Sequence, residues 1–206
     1  SDLAGVSITD QVLTFDPSAM QAGTVSVAAT VTDSGSPLLS ASKSVVLKVL
    51  AEQLVLEATV DTDGDGIFDA EEGLDDSDGD GIPDYQDNIV ESYLAPVGGD
   101  SIQVMQAPVG TTIALGDSVF SAGTNSVGLS EEQLVVVTGS ADDDYEYPSG
   151  LFDFTVSGAA AGESYNLVLP LASAIPANSV FRKFIDENIG WQDFVVDATN
   201  AISSAA

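Results

Sequence analysis

Two stretches of this chain carry residue types and spacing that could do chemistry. The first is Asp61-Thr62-Asp63-Gly64-Asp65-Gly66-Ile67-Phe68-Asp69-Ala70-Glu71-Glu72, and fifteen residues later comes Asp76-Ser77-Asp78-Gly79-Asp80-Gly81-Ile82-Pro83-Asp84-Tyr85-Gln86-Asp87. Both place Asp at positions 1, 3, 5 and 9, Gly at 4 and 6, Ile at 7 and an acid at 12. Twelve of the 27 residues from 61 to 87 are Asp or Glu, more than a third of the 33 acids in the chain. Alternate residues of a tight loop can turn their carboxylates towards one centre. A hard cation suits such a centre, Ca²⁺ above all, which takes about six to eight oxygens at roughly 2.3–2.6 Å. The Gly at position 6 lets the chain reverse with positive φ. The Ile after it, Ile67 or Ile82, offers a backbone carbonyl while its side chain packs away. Without a cation, carboxylates this dense repel one another and expand the segment.

Composition narrows the alternatives. The 206 residues hold 4 Lys+Arg, no His and no Cys, for a formal net charge of −29. Nucleic-acid and anionic-membrane binding both depend on basic residues, so neither is expected. Without His or Cys there is no thiol nucleophile, no Ser-His-Asp triad and no ordinary zinc site. A 44% hydrophobic content is that of a folded chain rather than a disordered one. No apolar run is long enough to span a membrane. Ser1-Asp2-Leu3 lacks the features of a signal peptide, so the chain is expected to be a processed product or an excerpt. Without disulfides, stability must come from apolar cores and metal.

The elements that must position these loops read as strands. Thr24–Thr32 alternates, with Val25, Val27, Ala29 and Val31 on one face, and Ser44–Leu50 places Val45, Leu47 and Val49 opposite Lys48. Asp33-Ser34-Gly35-Ser36-Pro37 is a turn, and Gln11–Phe15 an earlier strand. Beyond residue 93, expected strands are 101–106, 111–115, 133–138, 151–157, 164–169, 179–185 and 191–196. Phe152, Phe154 and Val156 share one face, as do Tyr165, Leu167 and Leu169. One helical hint is Glu131-Glu132-Gln133 after Ser130, a single capped turn. The fold class expected is all-β: two β-sandwich-type regions, 1–52 and 93–206, joined through an Asp-rich calcium-binding segment, 53–92, with little regular structure.

Three family resemblances attach to these residues. The two acidic runs match EF-hand-type loops, but only Gly73-Leu74-Asp75 separates them, which leaves no room for a helix. The tandem therefore resembles cysteine-free, bacterial thrombospondin type 3 repeats, in which Asp-rich loops wrap a row of calcium ions; dockerin modules fit less well. That resemblance implies as ligands Asp61, Asp63, Asp65, Ile67 (carbonyl), Asp69 and Glu72, then Asp76, Asp78, Asp80, Ile82 (carbonyl), Asp84 and Asp87, holding two or more Ca²⁺, with Asp75 able to bridge. Leu13–Pro17, Val31–Gly35 and Val45–Val49 resemble the second half of a bacterial Ig-like module of the polycystic-kidney-disease or cadherin-like kind, whose first half is missing. Gly150–Gly158, Leu169-Pro170, Ile175-Pro176-Ala177, Phe181–Phe184 and Gly190-Trp191 resemble the bacterial extracellular domain called choice-of-anchor U, which carries no established catalytic activity.

Other features read more plainly as structure. Ser40-Ala41-Ser42-Lys43 matches the Ser-x-x-Lys of penicillin-recognising enzymes but leads into a strand with no companion Lys-Thr-Gly. Asp142-Asp143-Asp144 with Glu146 lacks the loop spacing and reads as a solvated turn. Trp191, the only Trp, could stack on a sugar but reads as core. Arg182 and Lys183 have local acids such as Asp186 to pair with. Three functions follow as expectations. The first is a non-enzymatic, calcium-binding, structural or adhesive extracellular module of a bacterial surface or secreted protein, calcium rigidifying the joint between domains. The second is a subunit of an extracellular homopolymeric filament or sheath completed by strands from a neighbouring copy. The third is a carboxylate-pair glycosidase. Its partners would be copies of itself or neighbouring domains of a longer parent chain.

Overall fold

Across Gly23–Thr32 and Ser40–Val49 the alternating apolar pattern becomes a long ladder, while elsewhere the described strands are short and loops dominate. The computed structural model describes residues 4–10, 12–98, 103–138, 145–147, 150–171, 174–185, 189–198 and 201–203. In chain order its elements are β1 (Val6–Thr9), β2 (Val12–Phe15), β3 (Gly23–Thr32), β4 (Ser40–Val49), α1 (Asp69–Glu72), β5 (Leu94–Pro96), β6 (Val104–Gln106), β7 (Thr112–Leu115), α2 (Asp117–Ala122), β8 (Gly128–Leu129), α3 (Glu131–Thr138), β9 (Leu151–Phe152), β10 (Phe154–Ser157), β11 (Arg182–Phe184) and β12 (Trp191–Asp193). The protein is predominantly β, as expected. Its strands form two-stranded antiparallel ladders rather than wide sheets. The chain divides into two units, Ser1–Glu57 and Ala58–Ala206.

Unit 1 consists of two ladders. β1 pairs with β2 from Val6↔Phe15 to Thr9↔Val12, and β3 pairs with β4 from Gly23↔Val49 to Thr32↔Ser40. The second register sets Val25 opposite Leu47 and Val27 opposite Val45, with Lys48 across from Thr24 on the other face. Asp33 ties the turn between them, its Oδ1 accepting from the N–H groups of Gly35 and Leu39 at 2.9 Å each. Those two bonds, Leu39's first, hold its carboxyl below the ordinary range. Among the described residues of this unit none is buried.

Unit 2 is woven from short pieces. β5 pairs with β6, β7 with β10, β8 with β9, and β11 with β12. Single backbone bonds stitch the ladders together: Ile113 N–H donates to the Ser92 carbonyl (2.7 Å), Val127 to Pro96 (2.8 Å) and Asp153 to Val127 (2.9 Å). Ala95, Met105, Ala107, Ile113 and Val127 form one core, against which Phe152, Phe154, Val156, Leu167 and Leu169 pack. Val119, Leu129, Leu134 and Leu151 form a second, flanked by Tyr147 and Trp191; Leu115 touches both.

Several expected strands come out differently. Residues 133–138 are helical, within α3. A reciprocal capping box outweighs the β-branched run Val135-Val136-Val137: Ser130 N–H donates to Gln133 Oε1 (2.9 Å) and Gln133 N–H to Ser130 Oγ (3.1 Å). The expected strand 164–169 contributes one bridge, Val168 to Gln106. The strand 151–157 breaks at Asp153, whose carboxylate accepts from Ser118 N–H (2.7 Å) and caps α2 from 35 residues away. Neither α2 nor β1 was expected from the pattern.

Candidate metal centre

The two acidic runs fold into closely similar loops that share most of their hydrogen bonds; the second adds Asp80 N–H to Asp76 Oδ1 (3.1 Å) and closes in a 3-10 turn, Asp84–Gln86, where the first closes in α1. In loop 1 (61–72), Asp61 accepts from the N–H groups of Gly64 (2.8 Å, Oδ1) and Gly66 (3.2 Å, Oδ2), and Ile67 N–H donates to Asp65 Oδ1 (2.7 Å). In loop 2 (76–87), Asp76 accepts from Gly79 (2.8 Å, Oδ1) and Gly81 (3.0 Å, Oδ2), and Ile82 N–H donates to Asp80 Oδ1 (2.7 Å). The reversals need left-handed backbone, with φ of 100° at Gly66 and 97° at Gly81. The results are two clusters, Asp61–Asp63–Asp65 and Asp76–Asp78–Asp80, in each of which one oxygen per residue lies within 4.8 Å of the others and which could hold a metal ion.

Position 9 is placed differently from positions 1, 3 and 5. Both oxygens of Asp69 accept from Thr62, from its N–H at 2.8 Å and its hydroxyl at 2.7 Å. Asp84 accepts from the Ser77 N–H and hydroxyl at the same two distances. Asp69 and Asp84 thus lock the first and last turns of their loops together. Thr62 and Ser77 are functional residues that ligand-position reasoning passes over. The signal was there: both loops carry a hydroxyl at position 2. Asn88 was also missed; its Nδ2 donates to the Asp63 carbonyl at 3.3 Å, joining the end of loop 2 to loop 1. The loops also face a common cavity of about 310 Å³, lined by Asp65 and Glu72 from one side and Asp78, Asp84 and Asp87 from the other.

Four carboxylate oxygens are buried where no hydrogen-bond donor reaches them: Asp63 Oδ2 and Glu72 Oε2 in loop 1, Asp78 Oδ2 and Asp80 Oδ2 in loop 2. Burial raises the pKa of all four carboxyls, with neighbouring carboxylates adding to it; Asp80 is pushed up to about 8. Asp87 is raised to about 6, by burial first and then by the charges of Asp78, Asp63 and Asp76, so it feels both loops. A buried anion without a donor is costly. A hard cation removes that cost, and the donor set, carboxylate and carbonyl oxygen only, is the one calcium takes. The residues present fit such an ion.

Loop 2 is seated on the β-core. Leu115 N–H of β7 donates to the Asp80 carbonyl (2.7 Å), and Asp80 and Ile82 are each 1% exposed. Loop 1 is more open: Ile67 is 44% exposed and Asp65 lies at the surface. Its flanks close it, Asp69 N–H donating to the Val60 carbonyl (2.8 Å) and Gly73 N–H to the Asp69 carbonyl (2.9 Å), and the Asn88 amide bonds the Asp63 carbonyl.

The remaining candidates fall to structure. Ser40 and Ser42 lie in β4 with their hydroxyls on Thr32 and Thr30 at 2.7 Å, in no cleft. Trp191 packs between Tyr147 and Phe184, ring centroids 5.5 Å away in each case, against the second core. Arg182 pairs with Asp193 (3.1 Å) and lies over the Tyr145 ring. Asp142–Asp144 and Asp186 lie outside the described residues. No helix among the described residues is long and apolar enough to cross a membrane. In comparisons with family models, curated proteins and solved structures, nothing matches the chain.

Proposed function

We propose that this protein is a non-enzymatic, calcium-braced structural module that works outside the cell, on a bacterial surface or in a secreted protein. One observation carries the reading: two similar loops bury four carboxylate oxygens that no donor satisfies, Asp63 and Glu72 in one, Asp78 and Asp80 in the other. Asp61, Asp63, Asp65 and Glu72 would hold one ion, and Asp76, Asp78, Asp80 and Asp87 another, with the carbonyls of Ile67 and Ile82 in reserve. Bound calcium supplies positive charge that offsets this local excess of acid. The chain's own residues do the rest: Asp69 and Asp84 close the loops through Thr62 and Ser77, and the glycine amides orient Asp61 and Asp76. The location outside the cell rests on chemistry, because free calcium abundant enough for weak all-oxygen loops is found there. Titration calorimetry with CaCl₂ and, separately, MgCl₂ tests the reading. Saturable calcium binding with much weaker magnesium binding is expected; no calcium heat would overturn it.

A second reading concerns assembly. Unit 1 has no buried residue among those described, yet the β3–β4 ladder presents Val25, Val27, Val45 and Leu47 on one face. Two-stranded ladders are marginal alone. Completion by strands of another copy, giving a filament or sheath, would cover that face. Sizing in calcium tests it: concentration-dependent oligomers support it, and a monomer at all concentrations overturns it.

A further inference from the structure

We propose that the two loops are unequal and ordered calcium sites, loop 2 holding a resident structural ion and loop 1 an exchangeable one that depends on loop 2. The proposal rests on the calcium reading above and goes beyond it by assigning a different job to each loop.

Most hydrogen bonds inside the loops recur, and loop 2 adds one, Asp80 N–H to Asp76 Oδ1 at 3.1 Å, but the larger difference lies in what surrounds them. In loop 2, Asp80 and Ile82 are each 1% exposed, the Asp80 carbonyl is bonded to Leu115 N–H at 2.7 Å, and Gly81 lies against the Leu115 side chain. The β-core therefore holds this loop in its bonded shape before any ion arrives. In loop 1, Asp65 and Ile67 are exposed, and among the described residues, chain neighbours aside, nothing lies within 4 Å of where a Cβ on Gly64 or Gly66 would sit. Its ion must order the loop as well as bind it, and ordering is a cost that a preorganised site avoids.

One ligand difference argues the other way. Loop 1 ends in Glu72, which reaches further for a bidentate contact than Asp87 at the end of loop 2. Preorganisation is set against one carboxylate's reach, and the seating on the core combines two buried residues with a backbone hydrogen bond and a side-chain contact, both to Leu115. We take the seating to win. Dependence follows from the junction. Asn88, next to Asp87, holds the Asp63 carbonyl at 3.3 Å, and Asp87 shares the inter-loop cavity with Asp65 and Glu72. An ion in loop 2 fixes Asp87 and Asn88, and so fixes one flank of loop 1. It also offsets the Asp87 charge that Asp63 faces. Loop 1 then responds to calcium near the weaker, extracellular range of about 10⁻⁴–10⁻³ M.

The glycine amides report each loop separately, because Gly64 and Gly66 donate to Asp61 while Gly79 and Gly81 donate to Asp76. Metal-free full chain, labelled with ¹⁵N, is titrated with CaCl₂ and followed by amide NMR. Gly79 and Gly81 are expected to saturate at calcium about tenfold or more below Gly64 and Gly66. Four amides moving together, or loop 1 moving first, would overturn the order. No movement in any of them at about 10 mM calcium, above the weakest extracellular sites, would overturn the calcium reading itself. Asp63→Asn is expected to abolish the loop 1 response and leave the loop 2 midpoint where it was. Asp78→Asn is expected to raise the loop 1 midpoint as well as its own; an unmoved loop 1 midpoint would overturn the dependence.

Discussion

Position 2 of each loop decides how a dense acidic run becomes a shape. Thr62 gives both its N–H and its hydroxyl to Asp69, which is 5% exposed, so the carboxylate at position 9 works as a clamp. Hydrogen bonds to charged groups contribute about 1.5–3 kcal/mol, and a part-buried one at the lower end of that range. Thr62→Val, nearly the same in shape, is therefore expected to destabilise unit 2 by about 1–2 kcal/mol in denaturant melts with calcium present, while Thr62→Ser stays near wild type. The carboxylates whose pKa burial raises give a second expectation. Asp80 and Asp87 have folded pKa values near 8 and 6, against an ordinary 3.8. The folded, metal-free state thus binds more protons than the unfolded one between those limits, and its stability falls as pH rises. In chelator, the melting temperature is expected to climb as pH drops from about 8 towards 5. With saturating calcium that gain should vanish or reverse, since protons then compete with the ion. A chelated protein whose melt is flat across this range would show that these carboxylates are solvated.

Among the elements, the caps determine more than propensity does. α3 exists because Ser130 and Gln133 satisfy each other's backbone donors, although the valines that follow favour strand. Ser130→Ala is expected to cost about 1 kcal/mol and to raise amide exchange along α3 first; unchanged exchange there would mean that Leu134, packed in the second core, holds the helix alone. The loops were legible in the sequence because their chemistry is local, ligand spacing and two glycines within twelve residues, although the position-2 hydroxyls that bond Asp69 and Asp84 were passed over. β3 and β4 were legible because their alternation runs for ten residues each. α2 was not, because its cap, Asp153, lies 35 residues away and leaves no trace in the local pattern. The strand expected at 164–169 failed for a related reason. Its apolar period is real, and Leu167 and Leu169 do pack on the core, but only Val168 meets a partner backbone.

At the scale of the whole molecule, the charge of −29 separates into two kinds. Outside residues 61–87 none of the described acids is buried, so water and salt screen them. The twelve inside are concentrated where unit 2 begins, and loop 2 is bonded directly to β7. Calcium should therefore act on unit 2 as a folded body, and more strongly there than on any joint between units. Ions bound only by the native loops stabilise by mass action, about 2.7 kcal/mol for each site at calcium a hundredfold above its dissociation constant. For a unit of this size that corresponds to roughly 5–10 °C per ion. Calorimetry of the full chain is expected to show the unit 2 transition falling by that amount for each ion lost on chelation. The same experiment bears on the joint. If calcium acted mainly by stiffening the connection near Glu57, chelation would leave that transition where it was and change only protease cleavage between residues 50 and 60. A falling unit 2 transition, with cleavage spreading through 61–87, would place the ion's effect inside the β-core that seats the loops.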